Sequence, residues 1–436
     1  MAALLFAWEP FISFGQALTL KKNAVLYHQG DIGSGFYYMK QGAAKIKLLS
    51  DQGGERTIDY VLSGELLGEQ GIEKKPYFTT VVITAPSIVY FFSIEVYHQI
   101  CGRYPAATEA MMNSVINKVR LLADTVALLS GSAEQQTAHV LYKLFQKHGS
   151  TAIPIDQTAL AHYVGTSRIT IYKIIKKWKQ SGLIAMDHHK IYLNNMQVIE
   201  QLLYARTSPF ARKEGMVVMP ISRQGLEGYK MADGWHAYLY LAKRIYLKRN
   251  SVIYSQGDVG KGFYYLDSGM VKVVTSGAKG KKRVLDIVGS GHIFGEQAMD
   301  GQLYFSTAVA AVDSVIYFFS SEEFYELITA HTKLFHLFME STIHKIRLLS
   351  EAILLKSLDA EQQLAFLLLK LHRISADGFI HFSRQELANY SGLTRITVYK
   401  VLKKWAQDNW IDVHSQMIRI KHPKALEKVC SSSNIT

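Results

Sequence analysis

Two short runs hold the residue types that recognise nucleic acid, at matching spacing. They are Ser167-Arg168-Ile-Thr170-Ile-Tyr172-Lys173-Ile-Ile-Lys176-Lys177-Trp178 and Thr394-Arg395-Ile-Thr397-Val-Tyr399-Lys400-Val-Leu-Lys403-Lys404-Trp405. An arginine fork donates two parallel hydrogen bonds to guanine O6 and N7, so Arg168 and Arg395 are candidates for reading base edges. Thr170, Lys176 and Thr397 suit phosphate oxygens, contacts that fix register without reading sequence. Helical spacing turns Ile171, Ile174, Ile175 and Trp178 inward and leaves Arg168, Thr170, Tyr172, Lys173, Lys176 and Lys177 outward. Ser167, Thr394, Tyr399, Lys400 and Lys403 complete the two candidate DNA-binding sets. The bland alternative makes the lysines an ordinary solvated helix face, but turn grammar and charge excess coincide twice.

These runs need elements to hold them. A helical segment from Ala133 to His148 precedes the first run, followed by a second segment opening at Asp156. Ala161 or Ala388 permits a close helix crossing, Gly165 or Gly392 turns the corner, and the next helix opens at Ser167 or Thr394. That is the grammar of a helix-turn-helix. Beyond it, Ile184 to Leu193 and Ile411 to Ile420 read as short hairpins, which makes each domain winged.

The whole arrangement occurs twice. Gln29-Gly30-Asp31 returns as Gln256-Gly257-Asp258, Gly35-Phe-Tyr-Tyr38 as Gly262-Phe-Tyr-Tyr265, and Tyr90-Phe-Phe-Ser93 as Tyr317-Phe-Phe-Ser320, always 227 positions on. Units of this size are a fused duplication, whereas a solenoid repeats every ~20 to 50 residues. Val25–His28, Phe36–Lys40, Ala43–Leu49, Arg56–Val61 and Phe78–Thr84 are predicted strands, broken by glycines 30, 33, 35, 42, 53, 64 and 68 that all recur in the second copy. They predict a small jelly-roll-like barrel. A long helix follows, with the stripe Met111, Val115, Val119, Leu122, Val126, Leu129 and its counterpart Phe338, Thr342, Ile346, Leu349, Ile353, Lys356. Each stripe either covers its own barrel or pairs with the other as a pseudo-twofold seam.

The 436 residues, 48% hydrophobic and 19% charged, have the composition of several globular domains. The net charge of +13 points to a polyanion. Residues 137–193 hold eight Lys/Arg against two Asp/Glu and residues 364–420 eight against four, so ten of the thirteen charges sit in the two helix-turn-helix stretches. Cys101 and Cys430 make no metal-ligand spacing and suit a reduced, cytoplasmic setting. The run from Met1 to Trp8 lacks a basic leader, and no apolar run reaches the ~18 residues of a membrane span, so neither secretion nor membrane spanning is expected. No nucleophile–base pairing or phosphate loop stands out, so no enzyme activity is expected.

Each unit resembles a member of the cyclic-AMP receptor protein/fumarate-nitrate reductase regulator superfamily over nearly its whole length. The resemblance implies an α+β chain with a β-barrel sensor (8–107 and 235–334), a dimerisation-type helix (108–131 and 335–358) and a winged helix-turn-helix (132–203 and 359–430). Residues 204–234 are left as a linker. It further implies double-stranded DNA, RNA polymerase and a small-molecule effector as partners. Members normally act as homodimers on palindromic operators, so the fusion suggests a single-chain pseudo-dimer. A flexible linker of about 31 residues has an r.m.s. span on the order of 30 Å, enough for that closure. A dimer of tandem chains is the alternative.

Cyclic-nucleotide-binding relatives follow a Gly-Glu pair with an arginine that neutralises the cyclic phosphate. Here Gly68-Glu69 and Gly295-Glu296 are kept, but Tyr77-Phe78-Thr-Thr and Tyr304-Phe305-Ser-Thr stand where the arginine pair would be, which disfavours cyclic AMP. Neither cysteine is repeated and the histidines, including His28, His188-His189 and His292, show no ligand spacing, so no haem, iron–sulfur cofactor or metal is expected. The halogenated-phenol branch carries a Lys-Val pair on the dimer helix and an aromatic before the last barrel strands. The matching positions hold Lys118-Val119 and Lys345-Ile346, with Tyr77-Phe78 and Tyr304-Phe305. An acidified phenol would then bind as phenolate against the lysine. Alternatively these lysines only snorkel beside an apolar seam. A ligand-independent regulator and a protein-interaction scaffold or anti-regulator are the rival functions.

Overall fold

A computed structural model describes residues 7–49, 55–129, 131–187, 190–203, 216–218, 234–276, 282–355, 358–374, 378–380, 382–414 and 417–431. Gly53, His188-His189, Gly280, Lys356 and most of 204–234 lie outside them. Contacts divide the chain into two compact units, Met1–Ala205 with Thr342–Leu354, and Arg206–Ser341 with Leu355–Thr436.

In the first unit β1 (Gln16–Leu20), β2 (Val25–Tyr27), β3 (Gly35–Leu49), β4 (Glu55–Leu62), β5 (Leu66–Leu67) and β6 (Thr80–Ser93) form one sheet with central order β1-β6-β3-β4. Sequence patterning predicts two strands where β3 runs unbroken. Glycine explains how: Gly42 adopts φ +107°, and the β3–β6 register shifts on both sides of it, so the strand bends without ending. A Cβ there would meet Ser87 Oγ at 2.1 Å and Pro86 O at 2.7 Å, so the crossing excludes any side chain.

Two helices then lead out of the barrel, α1 (Ile94–Arg103) and α2 (Pro105–Leu128). The long helix starts three residues before its predicted start because Pro105 occupies its first turn, where the missing N–H costs nothing. Its predicted stripe is buried throughout, from Met111 at 0% to Leu129 at 7% exposure. The winged domain follows as α3 (Ala133–His148), β7 (Ala152–Ile153), α4 (Gln157–Val164), α5 (Arg168–Gln180), β8 (Ile184–Met186), β9 (Ile191–Leu193) and α6 (Met196–Leu203). Trp178, Ile171, Ile174, Leu141 and Leu160 lie in its core.

Part of the predicted linker is structured: β10 (Met216–Val218) pairs antiparallel with β11 (Lys243–Leu247), supplying an edge strand with a partner. The rest of the second barrel is β12 (Val252–Tyr254), β13 (Gly262–Ser268), β14 (Met270–Ser276), β15 (Lys282–Gly289), β16 (Ile293–Phe294), β17 (Thr307–Ala310) and β18 (Ser314–Ser320). The strands continuous in the first unit are each split here, giving two sheets ordered β10-β11-β18-β13-β16 and β12-β17-β14-β15, the two faces of a jelly roll. Then come α7 (Ser321–Ala330), α8 (Thr332–Leu355), α9 (Ala360–Ile374), β19 (Phe379–Ile380), α10 (Arg384–Ser391), α11 (Arg395–Gln407), β20 (Ile411–His414), β21 (Met417–Ile420) and α12 (Pro423–Ser431). On α8 the stripe residues Phe338, Thr342, Leu349 and Ile353 are buried and Ile346 is half-buried.

Candidate DNA interface and effector cavity

The turn between α4 and α5 is set by local chemistry. The Asp156 carboxylate caps α4 by accepting from Ala159 N at 2.8 Å, and Gly165 at φ +75° closes it. Ser167 then caps α5, its Oγ accepting from Thr170 N at 3.1 Å and lying 2.8 Å from Thr170 Oγ1. Thr394 and Thr397 repeat both distances at the start of α11, after Gly392 at φ +70°. The cap therefore holds Thr170 and Thr397 in place, each a half-buried residue.

Arg168, Tyr172, Lys173 and Lys176 are all exposed along α5, and Arg395, Tyr399, Lys400 and Lys403 along α11. The structure thus brings each predicted DNA-binding set together on one helix face. Trp178, on the buried side, donates its Nε1 to Glu134 at 2.8 Å, while the exposed Lys177 at the margin of the outward face pairs with the same carboxylate at 2.9 Å, bracing α5 against α3. Lys404 and Glu361 repeat that ion pair at 2.7 Å. Two features escaped the sequence reading. Ile169 and Ile396, which lie in the shared outward run but were given no role of their own there, are each 68% exposed on the outward face of their helices. Arg384 places its guanidinium 5.1 Å from the Tyr399 ring centre, where the first copy has Gln157.

A third missed feature ties barrel to reading head within each unit. Asp59 on β4 pairs with Lys143 at 3.1 Å and Lys147 at 3.2 Å and accepts from the Tyr163 hydroxyl at 3.0 Å. Lys147 also reaches Glu65 at 3.0 Å. Burial alone would raise the Asp59 pKa, but the two ammonium groups pull it below the usual carboxylate range. Arg56 donates to Val164 O at 3.2 Å directly beneath the Gly165 turn, and burial pushes its pKa down to about 10. Nearby, burial and then Lys143 push His139 down to about 3, so its ring is neutral. In the second unit Asp286 pairs with Lys370 at 3.2 Å, and Lys370 donates to the Tyr390 hydroxyl at 2.8 Å. Glu65 and Lys147 give way there to His292 and Ile374. The repeat itself held the signal, since Asp59/Asp286, Lys143/Lys370 and Tyr163/Tyr390 all recur at the common offset.

The predicted effector residues divide. Gly68, at φ +75°, turns the chain so that the buried Glu69 faces α2, where it accepts from Ser114 at 2.9 Å and pairs with Lys118. Lys118 also donates to Leu66 O at 2.8 Å. Phe78 and Thr79 join Glu69, Lys118 and Leu122 around a cavity of about 50 Å³, closed by Ile343 and Ile346 from α8. The Arg347 guanidinium lies 5.1 Å from the Phe78 ring centre. Tyr77 is committed elsewhere: it stacks on Tyr27 at 3.9 Å, donates to Gly35 O at 3.1 Å, and burial raises its pKa far above an ordinary phenol. Tyr304 repeats this with Tyr254 and Gly262 O, so both tyrosines are barrel core, a correction to their expected place in the pocket wall. Gly295, the fully buried Glu296 and half-buried Phe305 belong to the second unit, whereas Lys345 falls in the stretch assigned to the first.

A barrel sensor joined by a long helix to a winged helix-turn-helix, twice over, defines a DNA-binding regulator. The cyclic nucleotide-binding domain family matches residues 17–104 and 244–331, and the Crp-like helix-turn-helix domain family matches 135–202 and 362–429. The chain belongs to the cyclic-AMP receptor protein/fumarate-nitrate reductase regulator superfamily as a tandem duplicate. It is 27% identical over 195 residues to the cyclic AMP receptor protein of Thermus thermophilus, covering 44% of this chain and 90% of that relative. It is 23% identical over 191 residues to the fumarate and nitrate reduction regulatory protein of Escherichia coli K12, covering 42% and 76%. The structure of FixK2 from Bradyrhizobium japonicum aligns at 18% identity and TM-score 0.40, covering 44% of this chain and 98% of its own. Among the described residues no helix is long and apolar enough to cross a membrane, and no cluster of three metal-ligating side chains occurs.

Proposed function

We propose that one chain supplies both reading heads of an effector-responsive transcription regulator and binds a near-palindromic operator as a pseudo-dimer. The supporting observation is the assignment of Thr342–Leu354 of α8 to the first unit, with Ile343, Ile346 and Arg347 set around Phe78 and Lys118. A homodimer's second protomer would supply such a helix, and here the tether does. In this reading Arg168 and Arg395 meet base edges, while Ser167, Thr170, Tyr172, Lys173 and Lys176, with their counterparts Thr394, Thr397, Tyr399, Lys400 and Lys403, hold the backbone. RNA polymerase is the protein partner. Sedimentation of the chain on its selected operator is expected to give one chain per operator; two chains would reject the pseudo-dimer.

The effector in this reading is a small aromatic acid such as a halogenated phenol, bound as its anion by Lys118 against Phe78. A dry cavity that admits benzene is about 150 Å³. The ~50 Å³ beside Lys118 must therefore expand, and Glu69 must release the lysine. That gives opposite signs for two variants. Glu69→Gln removes the competing carboxylate and is expected to tighten phenolate binding, whereas Lys118→Met abolishes it. Calorimetric titration with a panel of chlorinated phenols reads both, and equal effects of the two changes would sink the proposal. The closed Glu69–Lys118 pair supports one other reading, a regulator that binds DNA without an effector; no heat with any phenol would favour it.

A further inference from the structure

Across α5 and α11 the usual rule of drift is inverted. Buried positions have changed between the copies, Ile171 to Val398, Ile174 to Val401 and Ile175 to Leu402. The exposed residues from Arg168 to Lys177 are identical to those from Arg395 to Lys404. Packing constrains a core to volume and shape, so methyl-sized swaps inside are ordinary. Identity outside is what a shared external partner imposes.

One of those identical outward residues is apolar. Ile169 and Ile396 are each 68% exposed, although a solvated helix position favours a polar or unbranched side chain. At about 100° per residue, Ile169 falls within roughly 10° of the point diametrically opposite the centre of the buried set Ile171, Ile174, Ile175 and Trp178. It is thus at the middle of the outward face, in the first turn, where a recognition helix meets base edges. The major groove offers one apolar group to such a side chain, the 5-methyl of thymine.

We infer that Ile169 and Ile396 each read one thymine by packing on its 5-methyl group, next to the guanine contact of Arg168 or Arg395. The inference rests on the proposed role of α5 and α11 as reading helices. It predicts a thymine at a fixed step in both half-sites. Arginine and lysine side chains could not demand that methyl, because they recognise hydrogen-bonding edges or phosphate.

Uracil differs from thymine by that methyl alone, which supplies the test. The operator is selected from random DNA, resynthesised with each thymine in turn replaced by uracil, and titrated by fluorescence anisotropy. Wild-type chain is expected to lose about fourfold in affinity at one thymine per half-site, the worth of one buried methyl. Ile169→Ala should erase that difference in one half-site and Ile396→Ala in the other, while Ile169→Val retains most of it. Ala favours helix, so the truncations should leave the far-ultraviolet dichroism unchanged. The inference fails if no uracil substitution weakens wild-type binding, or if the uracil effect survives both truncations. A wild-type chain that binds no DNA would instead overturn the reading-helix assignment itself.

Discussion

Replacing Asp59 by Asn is expected to destabilise the first unit by about 3–5 kcal/mol, because it leaves the buried Lys143 ammonium without its carboxylate and takes one of two carboxylates from Lys147. Lys143 and Lys147 have side chains only 2% and 5% exposed, and Asp59 is the carboxylate they share. Lys147 keeps Glu65 and the Tyr60 carbonyl, so most of the penalty falls on Lys143. The same change at Asp286 should cost less. Lys370 is a single cation, its side chain is 21% exposed, and it still donates to the Tyr390 hydroxyl. Urea unfolding at neutral pH, followed by a probe in each unit, checks the inequality; equal losses in the two variants would show that the network adds nothing specific to the first unit. The pH dependence has a definite sign. The folded pKa of Asp59 is depressed below its unfolded value of about 3.9, so its stabilisation is complete above that value and disappears as pH falls through the folded pKa. Asp59→Asn should therefore remove part of the acid-induced loss of stability as well as lowering stability at neutral pH.

The inequality bears on how the two heads respond to a ligand. In the first unit the winged domain is tied to β4 through Arg56, Asp59 and Tyr60, and to the turn after it through Glu65. In the second, the Asp286–Lys370 and Lys272–Glu386 pairs are joined by Val284 and Ile287 of β15, which belong to the hydrophobic cluster of the winged domain, so the attachment is part ionic and part apolar. An ionic, directional link resists reorientation more than an apolar one, whose contacts can slide. Two heads with identical reading faces can thus differ in how readily they move.

The elements of the two helix-turn-helix domains were legible because their signals are local. A capping serine or threonine, a positive-φ glycine and a 3.6-residue apolar period lie within a dozen positions, and the second copy repeats each of them. The barrel was legible as a class for the same reason. What escaped was non-local or depended on exposure. Nothing in the neighbourhood of Asp59 announces that Lys143 will lie against it, 84 positions away. Tyr77 precedes the last barrel strands as a pocket aromatic should, yet its ring stacks on Tyr27, which sequence spacing cannot foresee. Gly42 shows a third limit, since a glycine between two apolar runs marks either a turn or a bend, and only the cross-strand neighbours decide.

Arg168→Ala and Arg395→Ala together are expected to remove most of the preference for the selected operator while leaving general DNA affinity largely in place. A bidentate arginine–guanine contact is worth about 1–3 kcal/mol of discrimination, or roughly fivefold to 150-fold per half-site. The two losses should multiply, because in the proposed pseudo-dimer each arginine serves its own half-site. Lysine variants behave differently. Lys176→Ala should weaken binding to all sequences and lower the slope of log affinity against log salt by about one, the signature of a lost phosphate contact. The two arginine variants should not be equivalent. Arg384 stacks on Tyr399 beside the second reading helix, where the first copy offers only Gln157, so the second head keeps an additional cation when Arg395 is removed. Arg168→Ala is therefore expected to cost more residual affinity than Arg395→Ala, and Arg384→Gln should bring them level. Anisotropy titrations against operators with one scrambled half-site, at three salt concentrations, separate these terms. Equal specificity in wild type and the double variant would mean that the arginines do not read bases.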